Sequence, residues 1–394
     1  MLFLIPLLLF WAGDYDTSLR AGLEALNRND LPQAASQLEA ASKLRPDSAA
    51  AWLGLAQTYR KLKRPADANI AIAKADQASA GTAAIVLRGV AGFYAEGGEF
   101  GKAARALERF CDKAPKDADS AVGASVLYAR AYSSVSAIRM ARRAVAIKDS
   151  GETRLMLARL YAGSNRTAEC MTEWRRAARL LPYDEDTYFP IAQDLLGQQK
   201  FAEALEVLEA GLKILERSAQ LELARGVARY GLRRFPEAID SFLRTIQLDP
   251  RVEQPYLFLG RMLDVAEAKL PAMLAAFRTY FEAHPDDPMA TFEYARALAA
   301  TGGDSAAVEK LLAHAIELKP DSWESHFELG LAYERRRAFE EAAKEIEKSI
   351  LLNKEAAVPH YRLARVYDRL GRKVEADQQR AIHAKMTAST TKNP

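Results

Sequence analysis

The stretch SWESHFELGLAYERRRAFEEAAKEIEKSILLNK, Ser322 to Lys354, reads as two short amphipathic helices joined by a charged turn. In the first, Leu329 and Tyr333 are spaced i, i+4 and Gly330 and Tyr333 i, i+3, which sets all three on one helical face. Charge takes over at Glu334, Arg335, Arg336 and Arg337. A second run begins near Phe339, with Ala342, Ile346 and Ser349 sharing a face. Gly330, Ala342 and Ser349 are small, as closest approach of helix axes about 8–10 Å apart requires. Each run is about a dozen residues, too short for a helix that is stable alone in water. The apolar faces must be buried against neighbours.

The chain supplies those neighbours by repetition. It has 394 residues, 49% of them apolar and 27% charged, with a net charge of +3, enough for a large buried interior. Pro46, Pro115, Pro182, Pro250, Pro285 and Pro320 each follow a helical run, where a fixed φ and a missing N–H stop it. With Ala80, Asp149, Glu216 and Lys354 at the remaining stops, the period is about 33–35 residues. Aligned on it, the small residue of the first helix is Gly22, Ala56, Ala91, Ser125, Ala158, Ala192, Gly226, Gly260, Ala295, Gly330 and Ala364. A bulky row in the second helix is Leu38, Ile72, Leu107, Trp174, Leu208, Phe242, Phe277, Leu312 and Ile346. Aromatics close the first helix at Tyr59, Tyr94, Tyr128, Tyr161, Tyr333 and Tyr367. Helix pairs that bury their faces only by stacking must form a solenoid.

These residues resemble the tetratricopeptide repeat family, as in AWLGLAQTY (Ala51–Tyr59), FPEAIDSFLRTIQLDP (Phe235–Pro250) and FELGLAYE (Phe327–Glu334). The resemblance covers roughly Tyr15 to His383, about eleven repeats. It implies an all-α fold, a right-handed superhelical solenoid of antiparallel helix pairs over residues 14–386. Ala141 replaces a bulky residue in the pair spanning Ala118–Asp149, which predicts thinner packing there. One extra residue is expected near Lys269 and another near Gly303. The last helix, Lys373–Met386, carries Arg380 and His383 where other pairs are apolar or small, as the polar face of a terminal cap requires. Residues 387–394 are expected to be a frayed tail.

Leu2–Ala12, LFLIPLLLFWA, is shorter than the 18 or so apolar residues that span a bilayer. It resembles the core of a secretory signal peptide over residues 1–13, although no Lys or Arg precedes it. Export to a periplasmic, envelope or secretory compartment is the expectation, with a cytoplasmic location as the alternative.

Catalytic chemistry finds no footing. Cys111 and Cys170 lie two repeats apart, too far for a disulfide, which needs Cα atoms within about 7 Å. The five histidines show no metal-ligand spacing, and His326 and His360 occupy equivalent places, pointing to packing or a polar structural role. There is no nucleophile elbow, P-loop or dinucleotide fingerprint; Gly97–Gly98 and Gly302–Gly303 read as inter-helix turns. The repeats take up nearly the whole chain, so no enzyme, cofactor, metal or small-molecule substrate is expected.

In the family the first helices line the concave surface, so the resemblance implies that residues just off their packing face meet a partner. Here that row reads Leu19, Leu53, Leu155, Phe189, Leu223, Leu257, Phe292, Phe327 and Tyr361, interrupted by Arg88. One turn on lie Arg159, Arg261, Arg296 and Arg365. Aromatics and Arg dominate interface hot spots, and an apolar stripe edged by guanidinium suits a peptide bearing acidic residues. The same row also suits packing against the next repeat. The Lys and Asn set with which some relatives hold chaperone C-termini is missing; Gly54 and Gly92 stand there instead. The expected function is a non-catalytic scaffold for a protein or peptide. The alternative is a nucleic-acid-binding helical repeat, although the basic clusters Arg60–Arg64, Arg139–Arg143, Arg175–Arg179 and Arg335–Arg337 are interleaved with Glu and Asp along the chain and, at a net charge of +3, do not amount to a single-sign stripe.

Overall fold

The structure, a computed structural model, describes residues 14–79 and 83–390. The apolar run at residues 2–12 and the stop read at position 80 lie outside the described residues, as do 391–394. Two compact units divide the chain between Asp194 and Leu195, inside the eleventh helix. The first contains α1 (Tyr15–Asn27), α2 (Leu31–Leu44), α3 (Ala49–Lys61), α4 (Pro65–Ala78), α5 (Ala84–Glu96), α6 (Phe100–Lys113), α7 (Ala118–Arg130), α8 (Ser134–Ile147), α9 (Gly151–Gly163), α10 (Thr167–Leu180) and the start of α11 (Phe189–Gly197). The second contains the rest of α11, then α12 (Phe201–Leu212), α13 (Ala219–Gly231), α14 (Phe235–Leu248), α15 (Gln254–Arg261), α16 (Leu270–Ala283), α17 (Pro288–Ala300), α18 (Ser305–Leu318), α19 (Trp323–Arg335), α20 (Phe339–Leu352), α21 (Ala357–Arg369) and α22 (Lys373–Thr390). No strand occurs among the described residues. The fold is an all-α helical repeat, as expected.

Backbone geometry marks each repeat independently of side-chain pattern. Between the helices of successive pairs one residue has positive φ: Asn29, Lys63, Gly98, Tyr132, Asn165, Gln199, Arg233, Glu267, Gly302, Arg337 and Gly371. Their spacing reproduces the period read from the sequence. At Asn29 the left-handed residue donates to Leu26 O and the next, Asp30, to Ala25 O. Gly98 and Glu99 repeat this with Ala95 O and Tyr94 O. This arrangement satisfies the orphan carbonyls of a helix end and turns the chain back sharply. Asn and Gly tolerate it at little cost; Tyr132 and Arg337 adopt it despite their Cβ.

The other end of each pair is set by proline and a cap. Pro46, Pro115, Pro182, Pro250, Pro285 and Pro320 each lie just past the last residue of α2, α6, α10, α14, α16 and α18. The following helix then starts on a side-chain acceptor where one is available. Ser218 Oγ accepts from Leu221 N at 3.0 Å and Ser322 Oγ from Ser325 N at 3.2 Å, each satisfying one free amide of the first turn.

Small-against-large packing closes each pair. A Cβ added at Gly22, Gly226 or Gly330 would lie 2.6 Å from Leu38 Cγ, Phe242 Cε1 or Ile346 Cγ1 respectively. The bulky second-helix row is buried throughout, with Leu38, Leu208, Phe242, Phe277 and Ile346 fully so. Ala141 and its neighbour Met140 are also fully buried. The extra residue near Lys269 belongs to a break: α15 stops at Arg261, and two 3-10 turns, Leu263–Val265 and Glu267–Lys269, lead into α16. At the C-terminus α22 continues to Thr390 rather than ending at Met386. Its exposed Arg380 pairs with Asp368 and Asp377, and the His383 ring lies tilted against Tyr361, a polar outer face suited to a cap.

Candidate partner-binding face

Three rows of side chains hold the first helices in place, and they come before any residue left over for binding. The closing tyrosines reach back to the preceding pair. Tyr59 Oη donates to Glu39 at 2.7 Å, Tyr128 to Glu108 at 2.5 Å and Tyr367 to Glu347 at 2.6 Å. Burial and the adjacent carboxylate push each of these phenols up to about 12. An arginine lies over the ring in several pairs, as Arg64 over Tyr59 and Arg372 over Tyr367.

A second row addresses the carbonyl of the preceding proline. Trp52 Nε1 donates to Pro46 O at 2.8 Å and Tyr188 Oη to Pro182 O at 2.9 Å, while His326 Nε2 lies 3.3 Å from Pro320 O. His326 Nδ1 contacts Glu345 at 2.6 Å, and the equivalent His360 Nδ1 contacts Gln379 at 2.5 Å. Both imidazoles are buried structural links, the polar role expected of them. Cys111 and Cys170 are free and buried, and burial pushes both thiols up to about 11. Among the described residues no cluster of His, Cys, Asp or Glu is arranged to hold a metal, and no helix is long and apolar enough to cross a membrane.

The third row joins successive second helices by ion pairs. Arg109 meets Asp76, Arg139 meets Glu108, and Arg143 meets Asp112 at 2.6 Å. Between first helices Arg60 of α3 pairs with Glu96 of α5, and Arg336 at the end of α19 meets Glu309 of α18 at 2.9 Å. The basic clusters noted in the sequence are thus interleaved with acids in space, and partly exposed pairs of this kind add little stability each.

What remains is the row on the first helices. In the second unit Leu257, Phe292 and Phe327 line a cavity of about 630 Å³ together with Trp323 and Val358. Leu257 is 44% exposed and Tyr361 46%. Phe292, Phe327 and Leu223 are half-buried and also pack against core clusters, so they serve both stack and surface. Size and lining fit the usual range for small recognition pockets.

The cavity contains an ionic group that the repeat alignment does not reveal. Glu293 is 8% exposed, and its carboxylate lies where a side chain at Gly260 would be, 2.5 Å from that Cβ position. Arg296 Nη1 donates to Glu293 Oε2 at 3.0 Å and to Gly260 O at 3.0 Å; its Nε lies 3.4 Å from Glu328 Oε1. Gly260 O is available because α15 ends one residue later, leaving the carbonyls of its last turn without helical donors. Burial pushes the carboxyls of Glu293 and Glu328 upward, and Arg296 offsets that only in part. Arg296 therefore does not offer the free guanidinium expected of it. Arg261 lies 5.8 Å over Phe258, and Arg365 is exposed, 3.9 Å from Glu334.

In the first unit a second cavity, about 670 Å³, is lined by Leu155, Met156, Arg159 and Leu160 of α9 and by Val126 of α7. Leu155 is almost fully buried, Arg159 exposed and Phe189 half-buried. Glu152, Asp184, Asp186 and Asp194 also line it, and burial pushes the Asp194 carboxyl upward. Arg88, the interruption in the row, pairs with Asp117 at 2.6 Å and lies over Phe110. Glu293 and Glu328 stand in a mixed row, with Gly54, Gly89, Gly123 and Ala224 in four pairs and Arg20, Met156, Pro190, Phe258 and Arg362 in the others, and so left little trace in the sequence.

Residues 19–83, 189–253 and 303–359 match a family model described as Tetratricopeptide repeat. No curated protein matches the chain significantly. Among solved structures, the chain is similar to one described as Naa15/Naa10 bound to HypK-THB, at 12% identity and a TM-score of 0.47, over 93% of this chain and 68% of that one. It is similar to yeast Tom70 at 16% identity and a TM-score of 0.38, over 94% and 92%. A third is YrrB, described as a TPR protein with an unusual peptide-binding site, at 19% identity and a TM-score of 0.40, over 47% and 95%. With its repeat length and paired helices, the chain carries tetratricopeptide repeats in the three matching regions.

Proposed function

We propose that the protein is a non-catalytic scaffold that binds a protein or peptide on the face formed by its first helices. One observation carries the reading: the first-helix row, which packs in part against the core, leaves Leu257 44% exposed and lines a cavity with Leu257, Phe292 and Phe327. Tyrosine, proline-carbonyl and ion-pair rows are occupied by links between helices. Large apolar side chains left partly exposed beside a cavity mark interaction surfaces. Arg159, Phe189, Leu223, Arg261, Phe292, Arg296, Tyr361 and Arg365 are proposed to act as edges or supports of that face rather than as equal contacts.

A photo-crosslinking residue tests the face directly. Placed at Leu257, it should capture a protein partner in cells. Placed at Leu351, which is 63% exposed on the second helix α20, it should not. Equal capture at the two positions, or none at Leu257, would overturn the assignment.

A further inference from the structure

Resting on that reading, we infer that the partner segment carries lysine or arginine beside apolar residues, rather than the acidic residues a guanidinium-edged stripe would select. The cavity at Leu257, Phe292 and Phe327 is apolar in its walls but has a surplus of carboxylate: Glu293, Glu324 and Glu328 against Arg296 and Lys319. Arg296 is already shared between Glu293 and Glu328, and its remaining reach goes to Gly260 O. Glu328, with its side chain 22% exposed, keeps acceptor capacity facing the cavity. A carboxylate removed from water needs a partner cation, without which its charged form is strongly disfavoured. Two such groups share one guanidinium here. A cationic side chain arriving with an apolar neighbour would complete the pair while its neighbour fills the space between Phe292 and Phe327.

The cavity of the first unit has the same imbalance: Glu152, Asp184, Asp186 and Asp194 against Arg130 and Arg159. The surplus occurs at both first-helix cavities of a chain whose net charge is +3. Each of these two cavities is acidic although the protein as a whole is not. Charge complementarity of this kind selects partners and speeds their encounter.

The test uses the full chain and two fluorescein-labelled peptide pools of equal length, with the same apolar residues at alternate positions and either Lys or Glu between them. The Lys pool should bind about tenfold or more tightly than the Glu pool at low ionic strength, and the gap should narrow as salt rises. Glu328→Gln should shrink that preference severalfold and leave the thermal melt unchanged, since Glu293 still holds Arg296. Phe292→Ala with Phe327→Ala should weaken both pools alike, which probes the face rather than its charge preference. Tighter binding of the Glu pool or of a labelled oligonucleotide overturns the inference, as does a Lys preference that Glu328→Gln leaves intact. If neither pool binds, the inference falls, while capture at Leu257 still decides the scaffold reading.

Discussion

Gly330 and Gly260 fill the same register position in their helix pairs, yet they meet different neighbours. Beside Gly330 a Cβ would strike Ile346 Cγ1 at 2.6 Å and approach Ala342 O at 3.2 Å, both from the second helix of its own pair. Beside Gly260 it would strike the carboxylate of Glu293, on the first helix of the following pair. In the pair α19–α20 the first helix is continuous and the glycine lets its partner helix approach. In α15–α16 the helix breaks just after Gly260, and the space above it holds an ion pair instead. A shared small residue can thus serve the stack in one repeat and a polar pocket in another.

Removing the large partner of Gly330 should have the greatest effect. Ile346 is fully buried, so Ile346→Ala should cost about 2–5 kcal/mol from lost burial and the cavity left behind. Because each pair touches mainly its neighbours, the loss should concentrate in α19 to α22. Native-state hydrogen exchange reads this directly. A uniform fall in protection across the whole second unit would contradict local stacking.

Adding a methyl group at each glycine sharpens the contrast. Gly330→Ala forces Cβ against Ile346 and a backbone carbonyl, an overpacking cost of about 1–3 kcal/mol, offset in part by the roughly 1 kcal/mol helix preference of Ala over Gly. Gly260→Ala meets only the far end of a long side chain, which can swing aside. Urea denaturation should therefore show a lower midpoint for Gly330→Ala than for Gly260→Ala. Equal midpoints would mean that the two glycines do the same work.

The distribution of these roles explains what could be read from the sequence. Helix pairing, turn positions and the buried rows repeat in every copy, so each weak local signal at Pro46, Gly330 or Ile346 is reinforced by the others in register. Contacts between repeats leave a fainter mark in the sequence of any one pair. Tyr128 was legible as a helix-ending aromatic, but its bond to Glu108 depends on how α6 and α7 stack. The break after Arg261 appeared only as one surplus residue, and spacing alone could not show that it frees Gly260 O for Arg296. Arg296 lies on the first helix α17. Its neutralisation depends on Glu293 and Glu328, whose acids look like ordinary solvated charge until burial is known.

The smallest and most diagnostic effect concerns Glu293 itself. Its carboxyl is pushed upward by burial, with Arg296 opposing and Glu328 reinforcing the shift. A folded-state pKa above the unfolded value means that the fold disfavours the charged form more than the unfolded chain does. The stability this contributes is complete below the unfolded value, near 4.5, and is lost as pH rises through the folded value. Glu293→Gln keeps the acceptor for Arg296, which retains Glu328 as its charged partner. At pH 8 the variant should therefore be at least as stable as the parent, and its advantage should vanish as the pH falls toward 4. Paired urea titrations at the two pH values check this. A variant clearly less stable than the parent at pH 8 would show that Glu293 is held there as a stabilising charge, and that the pocket beside Gly260 is part of the stack after all.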